Sequence, residues 1–479
     1  MNEVVRPDLC IIGAGAAGLS LAASAAAFGV PTVLVERDKM GGECLNTACV
    51  PSKALLAAAH AARHSTLMPK IAIDPVASVP AYQRVLAHVN EVVADIAPAD
   101  SAARYAALGV EVIKAEAAFI DRTTVRAGEK LIKARRFVIA AGSEPTIPEI
   151  AGLDAVDFLT NETVFTLRER PRHLLVIGAG SVGCELGQAF RQLGSEVTLF
   201  EQGRLLPQED EELAGIVRGT LKRDGVNLRE NIKLAAVAPA MDGVRLHYSD
   251  EISAPRQATG SHLLIAAGRS PRTQGIGLEE GFIKYDKSGI IVDHGMRTSN
   301  PRVFAIGDCI GGVFGGCRFT HAASQQASLV MRSAFFRLRA RFEPSRVPRV
   351  TFTDPEIASI GLSEEQARAR HGAVRVCRFA FGETDRGRAE GEREGLVKLV
   401  ASPNGRLLGA AIGGKGAGEM ISLWTLALTE KMRLSKVAGL VTPYPTLSDA
   451  SRRAALEFYA PLARRPFLRR FMGVLRKFG

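Results

Sequence analysis

The stretch "DLCIIGAGAAGLSLAASAAAFGVPTVLVER", residues 8–37, contains three closely spaced glycines between two apolar segments. An apolar strand leads into Gly13, Gly15 and Gly18, a small-residue helix follows, and a second strand ends at Glu36. The first glycine permits a tight turn, the second lets the backbone approach a pyrophosphate, and the third allows close helix–strand packing. The acid takes a ribose hydroxyl, and the phosphate charge lies at the helix N-terminus. The stretch predicts one bound dinucleotide.

The same pattern recurs in "HLLVIGAGSVGCELGQAFRQLGSEVTLFEQ", residues 173–202, with Gly178, Gly180, Gly183 and Glu201. In both copies the acid lies 23 residues beyond the first glycine. One such glycine pattern is weak, but the full strand, helix and acid arrangement found twice favours two dinucleotides. Three further apolar runs that reach a glycine turn are predicted to be buried strands: 137–145, 263–273 and 303–309. Asp308, in the last run, suits a hydroxyl contact or a cap for the following helix.

Length and composition predict an ordinary globular protein of several domains. A chain of 479 residues is too long for one core and implies about three domains. Its 47% hydrophobic and 23% charged residues fit that class. The net charge of +11 does not indicate nucleic-acid binding, because no basic helix or basic-aromatic sheet motif recurs. The N-terminus lacks an export signal and no apolar stretch is long enough to span a bilayer, so a cytoplasmic location is expected.

A pair of cysteines lies in "GGECLNTACVPSK", residues 41–53. Three interpretations are compatible with the pair: a metal site, a structural disulfide and a redox-active disulfide. With His60 and His64 the pair gives C-x4-C-x10-H-x3-H, which is close to zinc-finger spacing. The intervening residues, however, form one alanine-rich helix and leave no room for the hairpin of a finger. We expect the two histidines on the solvated face of that helix and no metal ion.

A disulfide between Cys44 and Cys49 would be strained. Residues five positions apart in a regular helix are separated by about 7.5 Å of rise, whereas the Cα atoms of a disulfide lie roughly 4.4–6.8 Å apart. Closing the pair therefore requires a distorted first turn, and a strained bridge is more readily reduced. Such a bridge suits electron relay better than cross-linking. Directly after a dinucleotide unit, it is expected beside a flavin, with a nicotinamide on the other face.

These motifs resemble those of the FAD-dependent pyridine nucleotide–disulfide oxidoreductases, which include glutathione reductase, dihydrolipoamide dehydrogenase and mercuric reductase. The resemblance covers nearly the whole chain, and "GGECLNTACVPSK" is among its most specific motifs. It implies a redox disulfide in which Cys49 lies against the flavin and Cys44 exchanges with substrate. It also implies that Lys53 approaches the flavin ring and pairs with Glu185 near the nicotinamide.

The resemblance further implies an α/β fold of two Rossmann-like dinucleotide-binding domains and a C-terminal α+β dimerisation domain. It assigns to FAD the residues Gly13, Gly15, Gly18, Glu36, Ser143 and Asp308, and to the nicotinamide nucleotide Gly178, Gly180, Gly183, Glu201 and Gly268. Glu201 favours NAD over NADP, because a 2′-phosphate would meet like charge. The domain limits expected are 1–150 and 274–345 for the FAD domain, 151–273 for the NAD domain, 346–465 for dimerisation and 466–479 for a tail. In this family the partner subunit completes the active site, so a homodimer is expected.

The chain departs from the glutathione and lipoamide enzymes where they carry a His-Pro-Thr-x-Ser-Glu motif. In "PYPTLSDAS", residues 443–451, Tyr444 replaces the acid–base histidine and Asp449 replaces the glutamate. A tyrosine of pKa near 10 is a poor base for a thiol of pKa near 8.5. Tyrosine here is similar to mercuric reductase, although that enzyme also uses a C-terminal cysteine pair and the last cysteine here is Cys377.

Three functions follow from these observations. The leading one is an FAD-dependent NAD(P)H oxidoreductase, similar to mercuric reductase, that passes electrons through Cys44–Cys49 to a small disulfide, metal ion or electrophile. A dihydrolipoamide dehydrogenase that tolerates Tyr444 is the second. The third is a flavin-binding, membrane-associated regulatory protein with little turnover, which negligible NADH oxidation would distinguish.

The last residues, "LARRPFLRRFMGVLRKFG", form a tail with six basic residues and no acid. Apolar residues recur at helical spacing, as in helices that lie in an anionic membrane interface. Docking of the tail on the dimer body is the other interpretation, and the short length of the helix and Pro466 favour it. Peripheral contact with the inner face of the membrane stays open.

Overall fold

The computed structural model describes residues 3–67, 81–250, 254–463 and 466–478. The first part of the chain forms strands β1 (Glu3–Val5), β2 (Leu9–Ile12), β3 (Thr32–Glu36), β4 (Glu111–Lys114), β5 (Ala117–Asp121), β6 (Thr124–Ala127), β7 (Lys130–Ile132), β8 (Arg136–Ile139) and β9 (Ser143–Pro145). Its helices are α1 (Ala16–Ala27), α2 (Gly42–Asn46), α3 (Cys49–Leu67), α4 (Tyr82–Ile96) and α5 (Ala102–Ala107).

The second part repeats the strand–helix–strand order of the first. It contains β10 (His173–Ile177), α6 (Ser181–Gln192), β11 (Glu196–Phe200), α7 (Glu211–Arg223), β12 (Asn227–Arg229), β13 (Lys233–Ala240), β14 (Gly243–Ser249), β15 (Pro255–Gly260), β16 (His262–Ile265) and β17 (Arg269–Pro271). The chain then continues through β18 (Tyr285–Asp286), β19 (Gly289–Ile290), β20 (Val303–Ala305) and α8 (Thr320–Val330).

The remainder forms a separate sheet with helices on it. Its elements are β21 (Arg349–Thr351), β22 (Glu356–Gly361), α9 (Glu364–His371), β23 (Arg375–Ala380), α10 (Asp385–Ala389), β24 (Leu396–Ala401), β25 (Leu407–Gly414), α11 (Ala417–Thr429), α12 (Leu434–Ala438), α13 (Asp449–Glu457), α14 (Ala460–Ala463) and α15 (Pro466–Leu475). Short 3-10 turns connect several elements, including Gly307–Cys309 and Gly312–Phe314.

Two parallel sheets carry the predicted nucleotide motifs. The first has the strand order β20-β8-β2-β3-β4 and the second β12-β11-β10-β16, with every neighbouring pair parallel. Buried apolar strands of this type are covered by helices on their faces. All three predicted glycine-ended strands are present as β8, β16 and β20, and β20 returns to the first sheet. A short antiparallel ribbon of β9 and β17 joins the two units.

The third sheet is antiparallel, in the order β21-β22-β25-β24-β23. Helices α11 and α13 cover it, and Trp424 is fully buried between them, where its indole N–H donates to Ser451 Oγ at 3.2 Å. An antiparallel sheet with helices on one face is the α+β arrangement expected for the C-terminal part.

A buried lysine ties the second unit to the third. Lys398 is 5% exposed, and its ammonium group lies 2.8 Å from Asp210, 2.6 Å from Glu212 and 3.1 Å from Glu364. Arg378 donates a further hydrogen bond of 2.7 Å to Glu212. The hydrogen bonds from Arg378, together with those from Lys398, lower the pKa of Glu212 to about 2. This cluster holds the start of α7 against the third sheet.

A second polar junction joins helix α3 to both other units. The guanidinium of Arg63 lies 3.0 Å from Asp224 and 2.6 Å from Asp354. The Gln188 side chain donates to Asp224 at 3.1 Å and to the Asp354 carbonyl at 2.8 Å. Because α3 begins at Cys49, these contacts fix the far end of the helix that carries the cysteine.

Across the residues that the structure describes, no helix combines the length and the apolar character that crossing a bilayer requires.

Candidate functional site

The two glycine loops have matching geometry. A Cβ atom on Gly13 would lie 2.4 Å from the Ala140 carbonyl oxygen, and one on Gly18 would lie 1.9 Å from the Gly13 oxygen. A Cβ on Gly15 would meet nothing closer than 3.8 Å, which leaves open space in front of α1. Gly13 is therefore required for the turn and Gly18 for close packing of the helix. Gly15 faces an open surface that suits a pyrophosphate.

The second loop repeats these distances. A Cβ on Gly178 would lie 2.4 Å from the Ala266 oxygen, and one on Gly183 would lie 1.9 Å from the Gly178 oxygen. Around Gly180 a Cβ would have nothing within 4 Å. Gly268, in the turn after β16, adopts a φ of +109° with the same open surroundings. Both loops therefore fit a dinucleotide at the N-terminus of the helix that follows.

The two acids at the strand ends occupy equivalent places. Glu36 accepts the N–H of Ala14 at 2.7 Å, and Glu201 accepts the N–H of Ala179 at 2.8 Å. Each carboxylate is half-buried beside its loop and keeps lone pairs for a ribose hydroxyl. On the first unit, the buried Ser143 donates to Asp308 at 2.7 Å. Asp308 makes this contact from the 3-10 turn after β20.

Cys44 and Cys49 lie on different helices. Helix α2 ends at Asn46, and Thr47 leaves the helical region with φ −144° and ψ 2° before α3 starts at Cys49. The distortion that the spacing of the two cysteines requires is present at this break. Both side chains are half-buried free thiols in the structure.

The hydroxyl of Thr320, the first residue of α8, lies close to both cysteine sulfurs. Its Oγ1 donates to Cys44 Sγ at 3.4 Å and lies 3.6 Å from Cys49 Sγ. The hydrogen bond from Cys44, helped by Thr320 and the charge of Lys53, lowers the pKa of Cys49 to about 6, although burial opposes the shift. The hydrogen bond to Cys49 and burial raise the pKa of Cys44. The pair is therefore asymmetric, with the thiolate on Cys49 at neutral pH.

The reduced protein is expected to titrate one thiolate with an apparent pKa of about 6. Replacing Cys44 with alanine removes the main donor and should raise that pKa by about one unit. Cys44→Ser keeps a hydroxyl donor and should preserve the low value. Thiolate ultraviolet absorbance against pH measures this, and equal pKa values in the alanine and serine variants would contradict it.

Lys53 and Glu185 form an ion pair across the first and second units. Lys53 Nζ lies 2.9 Å from Glu185 Oε2, and the lysine also lies 4.4 Å from the centroid of the Phe352 ring. The other oxygen of the buried Glu185 accepts the Phe352 N–H at 2.9 Å. One turn of α3 separates Lys53 from Cys49, so the cation lies on the same side of the helix as the thiolate.

A charged network beside the cysteines was not predicted. Arg269 pairs with Glu43 and donates to Ser143 Oγ at 2.8 Å and to Asn161 Oδ1 at 3.1 Å. Burial raises the pKa of Glu43 to about 7 against the charge of Arg269, and a hydrogen bond with Glu162 adds to the rise. Glu43 lies in the cysteine motif, residues 41–53, and Arg269 lies in the predicted strand at 263–273. Nothing in the sequence indicates that these two side chains form an ion pair.

Among the described residues, no group of three or more His, Cys, Asp or Glu side chains is arranged to hold a metal ion. The expectation that both histidines face solvent was wrong for His60, which is half-buried and whose pKa burial lowers, while His64 is exposed. Helices α4 and α6 both pack on α3.

Tyr444 is exposed and Asp449 is buried, and they have different hydrogen-bond partners. The Tyr444 side chain is 71% exposed and its hydroxyl donates to Asp385 at 2.7 Å, which raises the pKa of the tyrosine. Asp449 is buried at the start of α13, where it accepts hydrogen bonds from Arg453 at 2.6 Å and from Thr442 at 3.2 Å. Within the described part of one chain, neither residue makes a hydrogen bond to a cysteine of the pair.

Two protein-family models match most of this chain. Residues 7–327 match the model of the pyridine nucleotide-disulphide oxidoreductases, and residues 347–455 match the dimerisation domain of the same name. The mercuric reductase of Streptomyces lividans is 35% identical over 473 residues, which cover 95% of this chain and 97% of that protein. A dihydrolipoyl dehydrogenase of Pseudomonas aeruginosa is 34% identical over 466 residues, 95% of this chain and 98% of that protein.

Among solved structures, the Cu(II) complex of the HOCl-induced flavoprotein disulfide reductase RclA from Escherichia coli has the same fold. It aligns with a TM-score of 0.81 and 25% identity over 92% of this chain and 98% of that chain. The predicted fold class, an α/β protein with two dinucleotide-binding units and a dimerisation domain, is confirmed.

Proposed function

Because the chain belongs to the pyridine nucleotide–disulphide oxidoreductase family, we propose that Cys44 and Cys49 are its redox-active pair and reduce a small disulfide, metal ion or electrophile. The protein is an FAD- and NAD(P)-dependent enzyme that acts on sulfur groups, as its family is. When bound, these two cofactors supply the two electrons that open the Cys44–Cys49 bond.

The observation that carries the proposal is the asymmetry of the pair around Thr320. Cys49 is stabilised as a thiolate by the Cys44 thiol, the Thr320 hydroxyl and the Lys53 ammonium. Cys44 keeps its proton, and its sulfur is half-exposed. A structural thiol pair needs no such asymmetry, whereas an exchanging pair uses one thiol for attack and one to close the bridge.

With a disulfide acceptor, the Cys44 sulfur attacks one acceptor sulfur, and the bond between the two acceptor sulfurs breaks. The proton of Cys44 passes to the Cys49 thiolate, and the first half of the acceptor leaves as a thiolate. Cys49 then attacks Cys44, re-forms the Cys44–Cys49 bond and releases the second half, which takes the proton. Cys49 accepts the Cys44 proton while the new sulfur–sulfur bond forms, so the step does not require Tyr444 as a base.

The residues proposed to hold the cofactors follow the two loops. For FAD they are Gly13, Gly15, Gly18, Glu36, Lys53, Ser143 and Asp308, and for the nicotinamide nucleotide Gly178, Gly180, Gly183, Glu185, Glu201 and Gly268. The domain limits predicted from the sequence stay predictions, and the return of β20 to the first sheet supports the split FAD domain.

The match of the C-terminal part to a dimerisation domain indicates a homodimer. We propose that Tyr444 of one subunit completes the cysteine site of the other, which the exposure of its ring supports. Asp449 would position it, because Asp449 holds Thr442 in the same loop and is itself fixed by Arg453.

NADH is expected to be used with a kcat/KM at least about tenfold above that for NADPH. A 2′-phosphate would meet the negative charge of Glu201. Arg204, the nearby cation in the sequence, is already engaged by Glu211 at 2.6 Å and by the Pro207 carbonyl at 2.8 Å. It therefore gives the phosphate little compensation. Steady-state rates with the two nucleotides measure the ratio.

Glu201→Gln should lower the ratio of kcat/KM for NADH to kcat/KM for NADPH, because it removes the negative charge that repels the 2′-phosphate. Glu196→Gln makes the same change at the opposite end of β11 on an exposed side chain and should leave it unaltered. A higher kcat/KM with NADPH in the wild-type enzyme would overturn the assignment.

The acceptor is identified by anaerobic NADH titration followed by a panel of mercuric ion, cupric ion, glutathione disulfide, lipoamide and a quinone. We expect turnover of a metal ion or electrophile to exceed that of lipoamide, because Tyr444 lacks the basicity of histidine. Tyr444→His should then raise lipoamide turnover. Lipoamide as the best acceptor of the wild-type enzyme would favour the dihydrolipoamide dehydrogenase alternative instead.

A further inference from the structure

The C-terminal helix α15 presents an apolar face that the described chain leaves uncovered. Phe467, Phe471, Val474 and Leu475 recur at the i, i+4, i+7 and i+8 positions of one helix face. Their exposed fractions are 75%, 50%, 52% and 46%. The rings of Phe467 and Phe471 stack with their centroids 6.4 Å apart, so the two form one continuous apolar surface.

Basic residues accompany this face. Arg469 falls on the opposite side of the helix by its period, Arg470 borders the apolar face, and Arg476 and Lys477 follow the last turn. Arg464 and Arg465 precede the helix in the sequence, outside the described residues. The sequence contains no Asp or Glu after Glu457. The segment therefore combines an apolar strip with several basic side chains and contains no acidic residue of its own.

The helix also lies beyond the part of the chain that matches the dimerisation domain, which ends at residue 455. A helix that packed on a protein surface would be expected to bury its aromatic residues. Here no residue of α15 is buried against the described part of its own chain.

We propose that α15 lies in the interface of an anionic lipid membrane, with its apolar face toward the acyl chains and its basic side chains at the headgroup phosphates. A basic amphipathic helix of this kind lies in the plane of the interface and does not cross the bilayer. Its short length and the electrostatic share of the attraction make the binding reversible and sensitive to salt. The enzyme would then work at a membrane surface, which its proposed chemistry does not require.

The test is co-sedimentation of the full-length, flavin-loaded protein with vesicles of phosphatidylcholine mixed with phosphatidylglycerol, and with vesicles of phosphatidylcholine alone. We expect binding to the anionic vesicles only, with release at high salt. The double variant Phe467→Ser/Phe471→Ser should lower the bound fraction at least about fivefold. The matched control is Phe28→Ser/Phe336→Ser, an exposed aromatic pair elsewhere whose centroids lie 5.0 Å apart, and it should bind as the wild type does.

Retained NADH oxidation shows that each variant is folded. Wild-type protein that stays in the supernatant with anionic vesicles at low salt overturns the proposal. So does a Phe467→Ser/Phe471→Ser variant that sediments like the wild type. A chain truncated after Pro461 that loses its dimer on size-exclusion chromatography would show that the helix docks on the partner subunit instead.

Discussion

Cys44→Ser is expected to lower turnover of sulfur and metal acceptors by about a thousandfold or more, because the attacking sulfur is gone. The same variant should keep the long-wavelength absorbance of a Cys49 thiolate lying against the flavin. Serine retains a hydroxyl that donates to the thiolate, and Thr320 and Lys53 remain in place. Cys49→Ser should lose both turnover and the long-wavelength band. Stopped-flow spectra of the flavin during anaerobic reduction measure both effects.

Cys317→Ser is the matched control for these two variants. Cys317 is half-buried like the pair, but burial raises its pKa, in contrast to that of Cys49. Its replacement should leave the turnover and the absorbance unchanged. A band that disappears in Cys44→Ser and persists in Cys49→Ser would show that the two cysteines have the opposite roles.

Lys398→Met is expected to lower the free energy of unfolding by about 3 kcal/mol, since it removes the buried cation that three carboxylates share and leaves only Arg378 beside two of them. Lys398 is buried, and Asp210 and Glu364 are largely covered. The single tryptophan, Trp424, is buried in the same unit and reports the transition in urea by its fluorescence.

Lys415→Met provides the comparison. Lys415 pairs with Glu390 at 3.1 Å, but its side chain is 49% exposed, so the loss should be under about 1 kcal/mol. In the wild type, the contribution of Glu212 is present above pH 4.5 and is lost as the pH falls toward its folded pKa of about 2. A loss in Lys398→Met no larger than that in Lys415→Met would contradict the role of the cluster.

The nucleotide units could be predicted from the sequence because their constraints are local. The 1.9 Å clearance between a Cβ at Gly18 and the Gly13 oxygen concerns residues five apart, and the same holds for Gly183 and Gly178. Such a contact can be satisfied only by glycine, so it leaves a direct trace in the spacing of residues. The order of strand, helix and acidic residue predicts the remainder of each nucleotide-binding unit.

The site beside the cysteines is assembled from distant segments, and its parts leave no comparable trace. Thr320 is 271 residues from Cys49, and Arg269 is 226 residues from Glu43. They meet because of the order of strands in the first sheet and the ribbon between the units. Lys53 and Glu185, 132 residues apart, were paired only through the family resemblance.

The misplacement of His60 has a similar cause. Period and composition show which side of α3 is apolar, but a helix that packs against both α4 and α6 buries polar positions too. The sequence carries no sign of that second neighbour. In the tail, by contrast, the helix that the spacing of apolar residues predicts is present as α15 (Pro466–Leu475).

The pair of Lys53 and Glu185 has a consequence for attempts to recombine this enzyme with its relatives. Lys53 comes from the first unit, Glu185 from the second, and the Phe352 N–H that completes the carboxylate from the third. A chimera that exchanges any one unit must therefore reproduce a donor at a buried carboxylate, or leave that charge unsatisfied at a cost of about 3–5 kcal/mol. With the Lys398 cluster and the Arg63 junction, which also cross between units, this carboxylate restricts the crossover points that such hybrids tolerate.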